Sequence, residues 1–284
     1  MFFMENKAKM ITPSFISVIL TTYNEPKWLE KVIVGFQCQT HLPNELIIAD
    51  DGSTSDTREV IAELQKTSKF PIKHVWHEDN GFQKTKILNQ AIKASSGDYL
   101  IFTDGDCIPR ADFIEVHHNN AQNGYFLSGG YFKLPMSTSK TITFNDIKIG
   151  NAFNVAWLIK NDLPKTYKTL KLTTTAWKQR LLNFITPAGA TWNGHNASGW
   201  RKDIINANGF DERMQYGGED RELGERLFNA GLKSKQLRYS AIVIHLDHKR
   251  GYVNPEMMIK NNLIRNETKQ QKSIRTLHGI SHET

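Results

Sequence analysis

The chain of 284 residues contains only two cysteines, Cys38 and Cys107, far apart in sequence. A disulfide framework or a cysteine-based zinc site needs more thiols or closer spacing, so neither is expected, and a reducing compartment suits the composition. Long hydrophobic runs are missing too. No stretch approaches the roughly 20 apolar residues of a spanning helix, and the opening MFFMENKAKM has no uninterrupted apolar core before its lysines. A soluble, cytoplasmic chain is expected. With 19 glycines and 9 prolines there is no low-complexity bias, which excludes disorder, collagen and coiled coil as whole-chain descriptions. Acidic residues are in the minority, 29 against 36 lysines and arginines, and the net charge of +7 favours phosphates, nucleic acid or an acidic membrane surface as partners. No nucleic-acid-binding motif accompanies the charge, so nucleic acid is not expected.

What is present is a chain long enough for one large domain or two small ones. From Phe15 to Phe132 short β-branched runs alternate with helical periodicity, which predicts an α/β fold with a parallel sheet. Strands are expected at Phe15–Leu20, Glu45–Ala49, Ile72–Trp76 and Asp98–Thr103. Helices are expected from Pro26 to about Gln39, from about Asp56 through Leu64, and around Ile87–Ile92. Residues 133–187 interleave lysines with aromatics and read as mixed helix and loop. Regular structure returns after Ala188, with helices at Arg201–Asn206 and Asp220–Asn229 and a strand at Ser240–Ile244. In open α/β sheets ligands bind beyond the carboxyl ends of the strands. The polar groups Thr22–Asn24, Asp50–Ser53 and Asp104–Asp106 should therefore converge on one crevice.

Asp104 and Asp106 are separated by one residue at the end of an apolar strand, where side chains at i and i+2 share a face. Their oxygens suit Mg²⁺ or Mn²⁺ with diphosphate completing the shell, although acids at a strand end also serve simply as a solvated turn. Asp50 and Asp51 are turn formers or caps, and one of them can accept a hydrogen bond from a pyrimidine N–H. Lys84 and Lys86 stand before a helix where phosphate could bind, or are merely solvated. Gly217 and Gly218 precede Glu219 and Asp220 at a helix start, leaving room for a ligand, and one acid can act as general base while the other caps. His245 and His248 follow a strand, where a neutral imidazole can complete a metal shell.

Four ordered blocks, VILTTYNEP, LIIADDGSTSDT, KILNQAIKASSGDYLIFTDGDCIP and GHNASGWRKDIINANGFDERMQYGGEDRELGERL, resemble the family-2 inverting glycosyltransferases of GT-A fold, which use nucleotide-sugar donors. The last block is similar to the catalytic segment shared by β-1,4 galactosyltransferases, N-acetylgalactosaminyl transferases and bacterial chondroitin-type polymerases. The resemblance implies a Rossmann-like, mostly parallel sheet flanked by helices. It divides the chain into an N-terminal extension (1–14), a nucleotide-sugar-binding half (15–132), a basic aromatic insert (133–187), an acceptor and catalytic segment (188–252) and a tail (253–284).

Carried over residue by residue, it implies that Thr22 and Tyr23 line a nucleobase pocket and that Asp51, with Asp50 as partner, contacts uracil. Asp104 would contact the ribose or sugar, and Asp106 would ligate Mn²⁺ or Mg²⁺ together with His245. Glu219 would hold acceptor or donor hydroxyls, and Asp220 would deprotonate the acceptor. Trp192, Gly194 and Asn196 would contact donor sugar or acceptor. The middle glycine of DGD departs from the commoner apolar residue, which bears on how the pair is oriented.

The implied activity is metal-dependent, inverting transfer from a UDP-sugar to a hydroxyl of a glycan or lipid-linked acceptor, in bacterial surface polysaccharide or glycoconjugate synthesis. The competing readings are a nucleotidyltransferase and an inactive sugar-nucleotide-binding protein. Residues 165–185 form a basic aromatic stretch that either meets an anionic membrane or lipid diphosphate, making the protein peripheral on the inner membrane face, or packs as an acceptor lid. Asn196 and Asn266 stand in sequons to which no glycosylation is assigned. The last residues, polar and mixed in charge, are expected to be mobile.

Overall fold

The computed structural model describes residues 12–187, 189–248 and 254–281. Most of the expected N-terminal extension, residues 1–11, lies outside them.

The first half builds a parallel sheet. Strands β1 (Ile16–Thr22), β2 (Glu45–Asp50), β3 (Ile72–Trp76) and β4 (Tyr99–Asp104) alternate with helices α1 (Pro26–Gln37), α2 (Ser55–Thr67) and α3 (Lys84–Ala94). Every residue of β1 and β2 is buried. Strands covered by helices on both faces carry near-continuous apolar runs, and ISVIL and LIIA are such runs. Pro26 opens α1, where its missing N–H is no loss.

The rest of the chain extends the sheet. It comprises β5 (Cys107–Pro109), α4 (Phe113–Asn120), β6 (Tyr125–Lys133), five short helices, β7 (Asn196–Trp200), α10 (Arg201–Asn206), α11 (Glu219–Asn229), β8 (Lys233–His245) and α12 (Pro255–Gln270). The short helices are α5 (Met136–Thr141), α6 (Phe144–Lys148), α7 (Val155–Lys160), α8 (Leu170–Thr173) and α9 (Ala176–Ile185). The strand order is β3-β2-β1-β4-β7-β6-β8-β5. β7 runs antiparallel to β4 and β6, and β5 antiparallel to β8, so the sheet is mixed rather than wholly parallel. Apolar clusters fill both faces, one around Leu29, Phe36 and Phe113, the other around Phe102, Trp192 and Phe210.

Two expectations change. β8 begins seven residues before Ser240, because its polar first half pairs with β6 across a register shift at Gly129/Gly130. The tail also docks. Asn208 Nδ2 donates to the carbonyls of Thr276 and Ser281 at 2.9 and 2.8 Å, and Thr276 Oγ1 donates to Asp211 at 2.7 Å. The tail is thus tied to the core by hydrogen bonds as far as residue 281, and the last three residues, 282–284, on which the expectation of mobility also falls, lie outside the described residues.

Candidate active site

The register of the parallel strands sets Thr22 beside Asp50 and Thr21 beside Asp104, so the carboxyl ends of β1, β2 and β4 share one edge. Asp104 Oδ1 accepts from Thr21 Oγ1 at 2.6 Å and from Lys84 Nζ at 2.7 Å. Burial opposes its charge, but the Lys84 ammonium holds the carboxyl well below the usual carboxylate range. Lys84 is likewise desolvated, yet Asp104, Glu219 and Asp220 keep it protonated. Gly105 explains the DGD departure: its N–H donates to the Thr21 carbonyl at 2.7 Å, and a Cβ there would stand 2.9 Å from that oxygen. The tight turn sends the two carboxylates to different partners, Asp104 to Lys84 and Asp106 across to β8.

Pairing of β5 with β8 places Cys107 opposite His245 and ties Leu246 N–H to the Asp106 carbonyl at 2.9 Å. Asp106 Oδ2 consequently lies 3.0 Å from His248 Nε2 and 3.6 Å from His245 Nε2, the donor atoms of all three falling within 4.8 Å of one another. His245 Nδ1 is 2.8 Å from the Leu246 carbonyl, a contact that only an N–H makes, so the neutral ring carries its lone pair on Nε2. One carboxylate and two imidazoles form a donor set that a divalent transition-metal ion fits. Asp104, Asp106 and Cys107 form a second group whose ligand atoms lie within 4.8 Å of one another; without a cation, burial and then the Asp106 charge push the Cys107 thiol pKa up.

Both oxygens of Asp50 are engaged within the protein, accepting from Ser53 N–H at 2.9 Å and from His74 Nε2 at 2.9 Å. Asp50 is fully buried and is therefore the turn former of the pair. Asp51 accepts from His77 Nε2 at 2.8 Å and from Gln83 N–H at 3.1 Å, which leaves lone pairs for a further donor. Tyr23 beside it is 47% exposed, with its hydroxyl on Asp79 at 3.0 Å.

Opposite this edge, α11 starts at Glu219. Asp220 Oδ2 accepts from Gly194 N–H at 3.0 Å and Oδ1 from Arg221 N–H at 2.7 Å. Glu219 accepts from Gly217 N–H at 2.9 Å. Burial and the neighbouring Asp220 charge push the Glu219 carboxyl up to about 7, against the pull of Lys84. The helix is anchored by Arg226, fully buried, which donates to Glu222 at 2.7–3.0 Å and to the Ala207 and Gly209 carbonyls. From α12, Asn261 Nδ2 holds the Gln215 and Gly217 carbonyls at 2.9 and 3.0 Å.

Four expected contact residues lie elsewhere. Lys86 is two residues from Lys84 on α3, hence on the other side of the helix, and is exposed. Trp192 has no exposed surface: its ring packs on Phe102 and Phe126 in the core. Asn196 is equally buried, its amide donating to the Gly130 and Ala241 carbonyls and its oxygen accepting from His117. At Gly218 the space expected for a ligand is taken by Arg265, 3.1 Å from an added Cβ, and its φ of +87° is what calls for glycine. Gly194, by contrast, sits between Lys84 and Asp220, 3.6 Å and 3.9 Å from an added Cβ.

Sequence reasoning passed over His195, Glu25 and His77. The His195 imidazole pKa is lowered by burial while the charges of Asp104 and Asp220 oppose that shift, and its ring lies 4.6 Å from that of Tyr131. Burial raises the Glu25 carboxyl pKa, with His248 and Asp106 close enough to act on it. Glu25 follows β1 into the crevice, so the strand-end rule that singled out Thr22–Asn24 could have reached it. His77 lay hidden because only folding brings it onto Asp51.

Two family models match in tandem, Glycosyl transferase family 2 over residues 17–180 and N-terminal domain of galactosyltransferase over residues 188–249. The chain is 27% identical to the chondroitin synthase of Escherichia coli over 239 residues, 76% of this chain and 32% of that protein. It is 26% identical to the hyaluronan synthase of Pasteurella multocida over 241 residues, 76% of this chain and 23% of the other. It thus spans about a third or less of the length of these relatives. Among solved structures, GalNAc-T7 with UDP, GalNAc and Mn²⁺ superposes with a TM-score of 0.59 at 15% identity, covering 92% of this chain and 48% of that one. The mannosyltransferase PcManGT from Pyrobaculum calidifontis, in complex with GDP-Man and Mn²⁺, gives 0.57 at 18% identity, covering 85% and 59%. At these identities the two likenesses bear on the fold.

Proposed function

The chain belongs to glycosyl transferase family 2 and is a glycosyltransferase of GT-A fold, and from that premise we propose that it transfers a sugar from a UDP-sugar to a glycan hydroxyl, with a divalent cation and inversion at the anomeric carbon. The observation that carries this reading is the convergence of Asp106, His245 and His248 beside the Lys84–Asp104 pair, with the Asp220 carboxylate across the crevice.

Asp106, His245 and His248 would hold Mn²⁺ or Mg²⁺, which when bound neutralises charge developing on the leaving diphosphate. Lys84, kept protonated by its carboxylates, adds fixed positive charge to the same region without reorganising. Asp51 retains acceptor capacity for a base N–H, and exposed Tyr23 offers a ring against the base. Asp220 is the general base. Its carboxylate is oriented by two backbone N–H groups and takes the proton of the acceptor hydroxyl as that oxygen attacks the anomeric carbon. The bond from that carbon to the donor's phosphate oxygen breaks, and the electron pair leaves with UDP. A single displacement of this kind inverts configuration and needs no second carboxylate on the sugar's other face, whereas a retaining double displacement would. The chain's match to polysaccharide synthases favours a growing glycan or lipid-linked glycan as acceptor.

The test is UDP release from a panel of UDP-sugars with Mn²⁺ and with EDTA, for the unmodified protein, Asp106→Ala and Asp220→Asn. Turnover of one donor that needs the metal and falls at least about 10²-fold in Asp106→Ala is expected. Absence of both turnover and calorimetric UDP binding would overturn the reading.

A further inference from the structure

Helix α9 is built inside out. Its sequence AWKQRLLNFI places Trp177, Leu181, Phe184 and Ile185 at i, i+4, i+7 and i+8, one helical face. That face points to solvent: Trp177 is 65% and Phe184 89% exposed, and no residue of α9 is buried. The side turned to the protein carries Gln179, Leu182 and Asn183, each only half-buried. Asn183 Nδ2 donates to Ser240 Oγ at 2.8 Å, and Asn183 Oδ1 accepts from Tyr239 N–H at 2.9 Å, fixing α9 against β8. The segment just before it exposes two more apolar side chains, Tyr167 and Leu170, 86% and 50% exposed.

The charge around this face is of one sign. No Asp or Glu occurs between Asp162 and Asp203, a stretch that holds Lys165, Lys168, Lys178 and Arg180. Among the described residues none of these four cations has a carboxylate within ion-pair distance, and Lys178 and Arg180 flank the apolar face of α9. A protein partner with an acidic rim would answer the charge, but a short apolar face flanked by cations that have no carboxylate partner, Lys178 resting only on the Trp177 ring at 5.4 Å, is the pattern that lies in the headgroup layer of an anionic bilayer. We propose that α9 and residues 167–170 form a docking surface for an anionic lipid bilayer. The surface is coupled to the crevice: Lys171 of α8 donates to the Tyr131 carbonyl at 3.0 Å, and the Tyr131 ring contacts His195 and lies 6.1 Å from His245. A lipid-linked acceptor would be met at the same bilayer; that clause rests on the proposed function, while the bilayer contact does not.

Co-sedimentation of the full chain with vesicles of phosphatidylglycerol and phosphatidylcholine, against phosphatidylcholine alone, tests the contact. Binding to the anionic vesicles at low salt should exceed the zwitterionic control by at least about tenfold. It should fall to the control level in the pair Trp177→Ser, Phe184→Ser, and lose its anionic preference in the pair Lys178→Gln, Arg180→Gln. Donor hydrolysis without vesicles should be unchanged in both, which separates failure of docking from failure of the transferase reading. A second measurement needs no disruptive variant: brominated lipid should quench the unmodified protein more than Trp177→Phe. No anionic binding at low salt, equal binding by the Ser pair, or a dimer in sedimentation velocity that the Ser pair abolishes without any vesicle binding would each overturn the proposal.

Discussion

Glu219→Gln should stabilise the protein, and the gain should grow with pH. The Glu219 carboxyl is pushed from its ordinary 4.5 to about 7 by burial and by Asp220. Below about pH 4.5 the side chain is protonated in both folded and unfolded chains, so the wild type carries no penalty there. As pH rises the unfolded chain ionises first, and stability is lost until the folded carboxyl has also ionised, at about 7. At 1.36 kcal/mol per pKa unit the full penalty is about 3 kcal/mol, and solvent screening of this half-buried side chain reduces it to roughly 1.5 kcal/mol. For a chain of this size the difference corresponds to roughly 3–6 °C in Tm. Thermal unfolding of metal-free wild type and Glu219→Gln across this range should show the two Tm values nearly equal at the acid end and the variant higher above neutrality. In the Asp220→Asn background the gap should narrow, because the charge that raises Glu219 is gone. A gap that stays constant with pH, or shrinks as pH rises, would refute the account. Activity separates the two acids as well: Asp220→Asn should lose about 10²–10⁴-fold in turnover as a missing general base, and Glu219→Gln should lose less.

Arg226→Ala should destabilise by about 3–5 kcal/mol, since it strands the buried Glu222 carboxylate, and chemical denaturation would measure it; the pair Arg226→Met, Glu222→Leu should recover most of that loss. Lys84→Ala should weaken UDP binding in calorimetry and lower turnover, because Asp104 loses its counter-charge, whereas Lys86→Ala on the outer face of α3 should match the wild type in both. Gly105→Ala should reduce UDP and metal affinity together: its Cβ would meet a backbone oxygen at 2.9 Å, so the turn carrying Asp106 has to move.

The strand ends and their acids were legible because they follow from local rules. LIIAD and YLIFTD are strands that stop at carboxylates, and in a parallel sheet those ends lie together whatever the rest of the chain does. The docking of the tail was not legible. The face that α12 buries consists of Asn261, Ile264 and Thr268, two of them polar, so no hydrophobic stripe advertises it. Trp192 and Asn196 were misjudged for a related reason. Their neighbourhood in sequence is that of the site, but each is turned into the core, one by ring packing and the other by bonds to backbone carbonyls.

By itself, the sequence determined the family, the alternation of strand and helix through residue 132, and the chemistry of the crevice: acids at strand ends, a lysine at a helix start, two histidines after a late strand. The family rests on the resemblance of four ordered sequence blocks, and the other features on periodicity and spacing, which are local. Tertiary structure alone decided which groups meet. Asp106 reaches His245 and His248 because β5 pairs with β8, about 140 residues away in the chain. Asp220 faces Lys84 because Arg226 and the tail hold α11 in place. Which of Asp50 and Asp51, or of Lys84 and Lys86, faces the crevice is settled by burial and helix phase, and long-range contacts set both.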